Sequence, residues 1–427
     1  MTDQITNKLG RREFLGAAAA ASFMILKPQH VRGTAANSQV RFGILGCGGR
    51  ATAEGTSFVQ NADARVTAIA DLFADQLEKG RQHFDALQQA KGYAAIDPSQ
   101  LFKGPNAYKE IAASKEVDFI LITTPPYFHP HHLETVVAAG KHVYCEKPVA
   151  IDIPGAHHVI SIGEKAKGKL SLAVGFQIRN APPMVELTRR IHAGDLGKIG
   201  CGLAYYYCAH IDRPEWPNAS PQEARLRNWV WDRKLSGDII VEQNIHVIDM
   251  CNWMLKGHPV KAVGMCDHKV RTAEDTGDCK DNFNVLFTYP DNVQISFGSA
   301  QFGHPNFDAA VQLFGSDGSS EAHYDWRVNI AGKNKWDAGM KPSGAEEFSA
   351  AGKFKGALDD ADSEKEKAFV ASITSGEFLN QAALGAESVM SGILGRTAAY
   401  TGRSITWDEL QKSKEVLEPG IDITKFA

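Results

Sequence analysis

Gly46-Cys47-Gly48-Gly49-Arg50-Ala51 follows a short apolar run and opens a helix-like stretch, fitting G-x-G-x-x-(G/A). The first glycine permits a tight turn, the second lets backbone N–H groups approach a pyrophosphate, and the small sixth residue lets helix pack closely on strand. A phosphate then rests on the helix N-terminus, where unpaired N–H groups and the dipole favour an anion. The next apolar run ends in Asp71, near the position, roughly 20 residues on, of a carboxylate that hydrogen-bonds ribose hydroxyls. Leu72 and Phe73 follow it, with no adjacent arginine for a 2′-phosphate, so NAD is expected rather than NADP. Gly46, Gly48, Gly49, Arg50 and Asp71 are therefore candidate cofactor-binding residues.

Two further strand ends carry polar residues: Thr123-Thr124-Pro125-Pro126 with His129 just beyond, and Cys145-Glu146-Lys147-Pro148. Both belong at the carboxyl edge of a parallel sheet, where ligands bind in doubly wound folds. Thr124, Pro125, His129, Glu146 and Lys147 join the cofactor-binding set on that ground. A cation at Lys147, beside a nicotinamide, would polarise a substrate hydroxyl or carbonyl. His129-Pro130-His131-His132 has no Cys or carboxylate set spaced with it, so no metal is expected.

Elements must hold these residues together. Apolar runs at 40–45, 65–70, 118–123, 142–145 and 170–175 alternate with helix-like segments at 51–60, 75–90, 131–139 and 154–166. That alternation predicts a parallel sheet covered on both faces, an α/β Rossmann domain over 38–150. Beyond residue 200 the rhythm changes to consecutive strands at 201–208, 260–266, 283–289 and 293–299, with a hairpin joining 311–314 to 319–324. The expectation over 151–427 is an α+β substrate-binding domain with a large, mainly antiparallel open sheet, a surface loop over 331–362 and helices at 364–375 and 386–400.

A chain of 427 residues suits two domains. Its net charge of −4, without long like-charge blocks, offers no broad basic surface for nucleic acid. The seven cysteines form no C-x-x-C pair and are odd in number, so no disulfide framework is implied. Residues 1–36 read as a targeting segment: Arg11-Arg12-Glu13-Phe14-Leu15 precedes an apolar run at 16–26, with Gly33-Thr34-Ala35 as a candidate cleavage site. That run is far short of the roughly 20 residues that span a bilayer, so no stable membrane span is expected. The pattern is that of a twin-arginine signal peptide, which predicts a periplasmic or otherwise exported protein that crosses the membrane already folded.

Taken together, the glycine turn, Asp71, the Thr-Pro-Pro segment with His129, Glu146-Lys147-Pro148, and Gly175-Phe176-Gln177-Ile178-Arg179 followed by Gly194-Asp195-Leu196-Gly197-Lys198 resemble the Gfo/Idh/MocA family of glucose-fructose oxidoreductase-like enzymes. The similarity runs from about residue 40 to Thr406-Trp407-Asp408-Glu409. It implies NAD(H) chemistry on a sugar, glycoside or cyclitol, and homo-oligomers through the outer face of the open sheet. In Ser236-Gly237-Asp238-Ile239-Ile240-Val241-Glu242-Gln243-Asn244-Ile245-His246 the family's catalytic histidine falls on His246, and Glu242 stands where aspartate is usual. Positions i and i+4 share a helix face, so Glu242 is expected to orient the imidazole. Histidine's natural pKa range suits removal of a hydroxyl proton, and Lys147 matches the family lysine that stabilises an alkoxide. Arg179 and Trp229, with His246, are expected on the substrate. The adjacent Tyr205-Tyr206-Tyr207 is expected to serve core packing.

Export adds a constraint. Outside the cytoplasm there is no assured nicotinamide pool, so the cofactor is expected to be tightly held and cycled on the enzyme. An NAD-dependent glycoside hydrolase working by transient oxidation and elimination is the alternative, but the family's glycosidases differ from Glu-Lys-Pro at this strand end. A catalytically silent sugar-binding protein is a further alternative, and it would be expected to have lost Lys147 or His246.

Overall fold

Phe119-Ile120-Leu121-Ile122 has no polar face, so as a strand it is stable only with both sides covered. In a computed structural model that describes residues 39–302, 307–341, 356–358 and 360–426, all four are buried at the centre of a six-stranded parallel sheet. Its strands are β1 (Val40–Leu45), β2 (Ala64–Asp71), β3 (Leu101–Lys103), β4 (Phe119–Ile122), β5 (His142–Cys145) and β6 (Leu172–Val174), in the order β3-β2-β1-β4-β5-β6. The connecting helices are α1 (Gly49–Asn61), α2 (Ala74–Ala90), α3 (Ala107–Ala113), α4 (His129–Ala138) and α5 (Ile153–Ala166). The strand order reverses between β1 and β4, which opens a crevice at their carboxyl ends. The expected signal segment, 1–36, lies outside the described residues.

The second sheet is mixed and mostly antiparallel. It contains β7 (Ile199–Tyr207), β8 (Lys261–Asp267), β9 (Asn282–Thr288), β10 (Gln294–Ala300), β11 (Asp308–Gly315), β12 (Gly318–His323), β13 (Val328–Gly332), β14 (Trp336–Asp337) and β15 (Ile405–Thr406). Their order is β14-β13-β12-β11-β7-β10-β9-β8-β15, with β7 and β10 as the parallel pair. The helices that accompany it are α6 (Pro182–Ala193), α7 (Pro221–Arg227), α8 (Ile239–Glu242), α9 (Ile245–Met254), α10 (Ala361–Ser375) and α11 (Ala382–Thr401). Strand alternation buries Tyr206 and turns Tyr205 and Tyr207 outward, where their rings stack at 5.2 Å. The same outward face exposes Leu203, Val263, Met265 and Phe314.

Two expected boundaries move. The parallel sheet continues past residue 150 into β6, because the apolar run at 170–175 has only the edge of β5 to pair with. Helix α10 also returns to the first sheet, where Phe369 packs edge-on against Phe58, Phe119 and Tyr144. The region expected as loop begins instead with two strands, since Ile330 is needed to extend the buried face of the sheet.

Candidate active site

The crevice forms where β1 turns into α1. Gly46 has φ +94°, a left-handed conformation that favours glycine, and an added Cβ would meet the backbone of Thr123 and Thr124 at 3.0 Å. Gly48 caps α1 without a side-chain hydrogen bond, and the first turn has no acidic residue. At Gly48 and Gly49 an added Cβ would meet nothing within 4 Å. The helix start therefore presents bare N–H groups to open space. A cavity of about 350 Å³ extends from it, lined among others by Gly46, Gly48, Gly49, Asp71, Thr124 and Pro125. Asp71 accepts the N–H of Cys47 at 2.7 Å and of Phe73 at 2.8 Å. Burial raises its pKa, and those two bonds oppose the rise. A glycine cradle at a helix N-terminus with a fixed carboxylate beyond it fits the pyrophosphate and ribose of NAD.

The opposite wall comes from distant sequence. Trp216, Leu226, Arg227, Trp229 and Ile423 line the same cavity. Arg227 makes a bidentate pair with Asp75 of α2, at 3.0 and 2.9 Å, and its Nε bonds Glu223 at 2.8 Å. Its guanidinium lies 4.0 Å from the Phe73 ring centre and 4.8 Å from that of Trp216. The chain end crosses nearby: Phe426 meets Phe73 with ring centres 5.9 Å apart, Tyr127 donates to Glu418 at 2.9 Å, and Arg225 bonds the Pro419 carbonyl at 3.0 Å. Arg227 is the arginine that the residues next to Asp71 do not provide, yet two carboxylates occupy it. Sequence spacing gave no signal for this wall apart from Trp229.

Lys147 and His246 do not line the cavity. Lys147 Nζ donates to the Glu242 carbonyl at 2.6 Å and to its carboxylate at 3.1 Å. The expected Glu242–His246 pairing is therefore replaced by Glu242–Lys147. The physical reason is a break in the helix: α8 ends at Glu242 and α9 starts at Ile245, so i and i+4 no longer stack on one face. His246 is buried, its ring edge-on to Phe176 and Tyr324, and its Nδ1 has no hydrogen-bond partner among the described residues. Burial, and then the Lys147 charge, hold its pKa well below the usual histidine range.

Four expected contacts are spent elsewhere. Arg50 pairs with Glu54 at 2.7 Å, with Glu146 at 2.9 Å and with Asp362 at 3.4 Å, and Lys365 joins the same group at 2.8 Å from both Glu54 and Asp362. A partly buried guanidinium is best held by carboxylates, so Arg50 and Glu146 knit α1, β5 and α10 together instead of lining the cavity. His129 spans the carbonyls of Thr124 at 2.6 Å and Pro148 at 2.7 Å, fastening the ends of β4 and β5. Arg179 forms a bidentate pair with Asp249 at 2.8 and 2.9 Å, and Ser388 donates to the same carboxylate at 2.6 Å. Asp249 is three positions beyond His246, so Arg179 holds the histidine's helix and not the substrate. That aspartate was visible in Ile245-His246-Val247-Ile248-Asp249 as a buried acid in need of a partner.

Gly175 shows how tightly the lysine loop is held. A Cβ there would lie 2.4 Å from the Glu146 carboxylate, which Arg50 keeps in place and which also accepts the Lys147 N–H at 3.2 Å. Gly175→Ala is expected to destabilise the fold by about 1–3 kcal/mol, as overpacking does, and to lower turnover by shifting Lys147. Thermal unfolding checks the first effect, and an unchanged Tm would contradict this packing.

Comparison with known proteins agrees with this architecture. Residues 40–176 match the model described as oxidoreductase family, NAD-binding Rossmann fold, and residues 184–321 match the GFO/IDH/MocA C-terminal domain. An inositol 2-dehydrogenase of Rhizobium meliloti (strain 1021) is 26% identical over 292 residues, which are 68% of this chain and 78% of that protein. An aldose-aldose oxidoreductase from Caulobacter crescentus, solved with glycerol, superposes with a TM-score of 0.65 at 17% identity, covering 86% of this chain and 99% of that one. A levoglucosan dehydrogenase solved with NADH and levoglucosan gives a TM-score of 0.66 at 16% identity, over 86% and 99% of the two chains.

Proposed function

The chain belongs to the GFO/IDH/MocA oxidoreductase family, an NAD-binding enzyme family, and from that premise we propose that it oxidises or reduces a ring carbon of a sugar, glycoside or cyclitol with an NAD that stays on the protein between turnovers. The observation that carries the reading is Lys147, placed at the carboxyl end of β5 and tied to the segment that leads into His246. Bound NAD supplies hydride acceptance in one direction and, once reduced, hydride donation in the other.

The chain's own residues handle the proton and the charge. His246 accepts the hydroxyl proton at its unpartnered Nδ1, and Lys147 offsets the negative charge that develops on the oxygen. Glu242 holds the lysine in register for that task. Asp71 and the Gly46–Gly49 turn hold the nucleotide, and Thr124 and Pro125 line its path. Polyols are the substrate class that the names of the inositol and aldose enzymes support. Export through the twin-arginine route, from Arg11-Arg12 and the apolar run after it, is part of the same proposal, as is self-association through the outward sheet face bearing Leu203, Val263, Met265 and Phe314.

Retention of the cofactor is supported by the far wall of the cavity, where Arg227 reaches across to Asp75 and the chain end lies over Phe73. Protein purified without added nucleotide and then denatured is expected to release stoichiometric NAD or NADH. Arg227→Ala is expected to release it about tenfold faster, as loss of one partner of a partly buried pair acts mainly on the off-rate. Wild-type protein that emerges empty and binds NAD weakly would reject retention and leave a conventional dehydrogenase. Adding myo-inositol, D-glucose and methyl glucosides to the loaded protein, while following NADH absorbance, tests the substrate class.

A further inference from the structure

The break between α8 and α9 places Asn244 as the N-terminal cap of α9. An asparagine in that position ordinarily turns its side-chain oxygen back onto the N–H groups of the first turn. Here it makes no such bond. The side chain is 0% exposed, and both Oδ1 and Nδ2 are without a hydrogen-bond partner among the described residues. Buried polar groups are nearly always paired, so a carboxamide with both ends open points to a ligand.

The surroundings indicate which ligand. Asn244 lies two residues from Glu242, whose carbonyl and carboxylate hold Lys147, and two from His246, whose Nδ1 is also unpartnered. The adjacent Gln243 accepts a hydrogen bond from Gln301 Nε2 at 2.9 Å, which leaves the buried Gln301 Oε1 open as well. One donor and two acceptors, all neutral, are thus without a partner among the described residues, on the segment between Glu242 and His246 and on the Gln301 bonded to it. A ring with adjacent hydroxyls supplies the complement, since each hydroxyl both donates and accepts. An anionic or purely apolar substrate would leave the acceptors unmet.

We infer that Asn244, together with the Gln301 that bonds its neighbour Gln243, binds vicinal hydroxyls of the substrate and selects polyhydroxylated rings over singly hydroxylated ones. This rests on the functional reading above. It also separates Asn244 from the capping role that its position suggests: because no cap bond exists, removing the amide costs the helix nothing.

The test uses the loaded full-length protein, with myo-inositol and D-glucose as probes in calorimetry and steady-state kinetics. Asn244→Ala and the near-isosteric Asn244→Leu are expected to weaken probe affinity and raise KM roughly ten- to hundredfold, the scale on which a site built for hydroxyls discriminates. Their Tm is expected to be unchanged or higher and their NAD content unchanged. Probe affinity that survives both substitutions would overturn the assignment. So would loss of bound NAD with probe affinity intact, because the amide would then serve the nucleotide, and so would a lower Tm without an affinity change, which marks a structural role. Wild-type protein that binds neither probe and reduces no cofactor would overturn the functional reading and this assignment together, and that result is seen before any substitution is made.

Discussion

Replacing His246 with alanine is expected to lower kcat roughly 100- to 10,000-fold, the usual worth of a positioned general base, while NAD content after purification stays the same. His246 is not among the residues that line the crevice at the glycine turn, so binding and chemistry are expected to separate. The pH profile of the native enzyme adds a second check. Burial and the Lys147 ammonium favour the neutral imidazole, so its base form is already complete at neutral pH. The oxidation rate is therefore expected to show no inflection near 6.5, histidine's ordinary value, and to fall only at lower pH. A bell with its acid limb at 6.5 would mean that another group is the base, and so would activity that persists in His246→Ala.

Lys147→Met keeps the length and apolar stem of the side chain and removes the charge. Turnover is expected to drop roughly 100- to 1,000-fold, the cost of deleting one stabiliser of a developing oxyanion. Glu242 is then left with no cation at 3.1 Å, and the Glu242 carbonyl loses its donor. Lys147→Arg is expected to rescue little, since a planar fork cannot reproduce a single ammonium held at 2.6 Å by a carbonyl. Steady-state kinetics on both variants decide it, and a Lys147→Met enzyme within tenfold of the wild type would refute the charge-stabilising role.

Features set by a few neighbouring residues were legible before any coordinates. The Gly46–Gly49 turn is one, because a positive φ and a bare helix start demand glycine at those positions. The parallel sheet followed from apolar runs alternating with helix-like segments, whereas the order of its strands came only with the structure. The helix break at Gln243-Asn244 was misread because i, i+4 spacing assumes a continuous helix. Asparagine's preference for cap positions was the local warning. Arg179 was expected on the substrate from the resemblance alone, but a guanidinium next to a buried aspartate is claimed by it, and that aspartate lies 70 positions on. No local pattern could place Arg227 against Asp75, 152 positions away, or Glu418 against Tyr127, 291 positions away.

Those separations also bear on how the protein acquires its nucleotide. Contacts between residues so far apart in sequence carry the largest loop-closure cost, and long-range pairing is intrinsically slow. The parallel sheet and its glycine turn, by contrast, join segments closer in sequence, β1 and β4 pairing at Phe42 and Phe119. On the proposed retention, the crevice is expected to form first and to be walled over afterwards, enclosing the nucleotide present while Arg227 and the chain end are still undocked. Refolding in the presence of NAD and adding NAD after refolding should consequently give products that differ in occupancy, which makes cofactor content a record of the order of assembly.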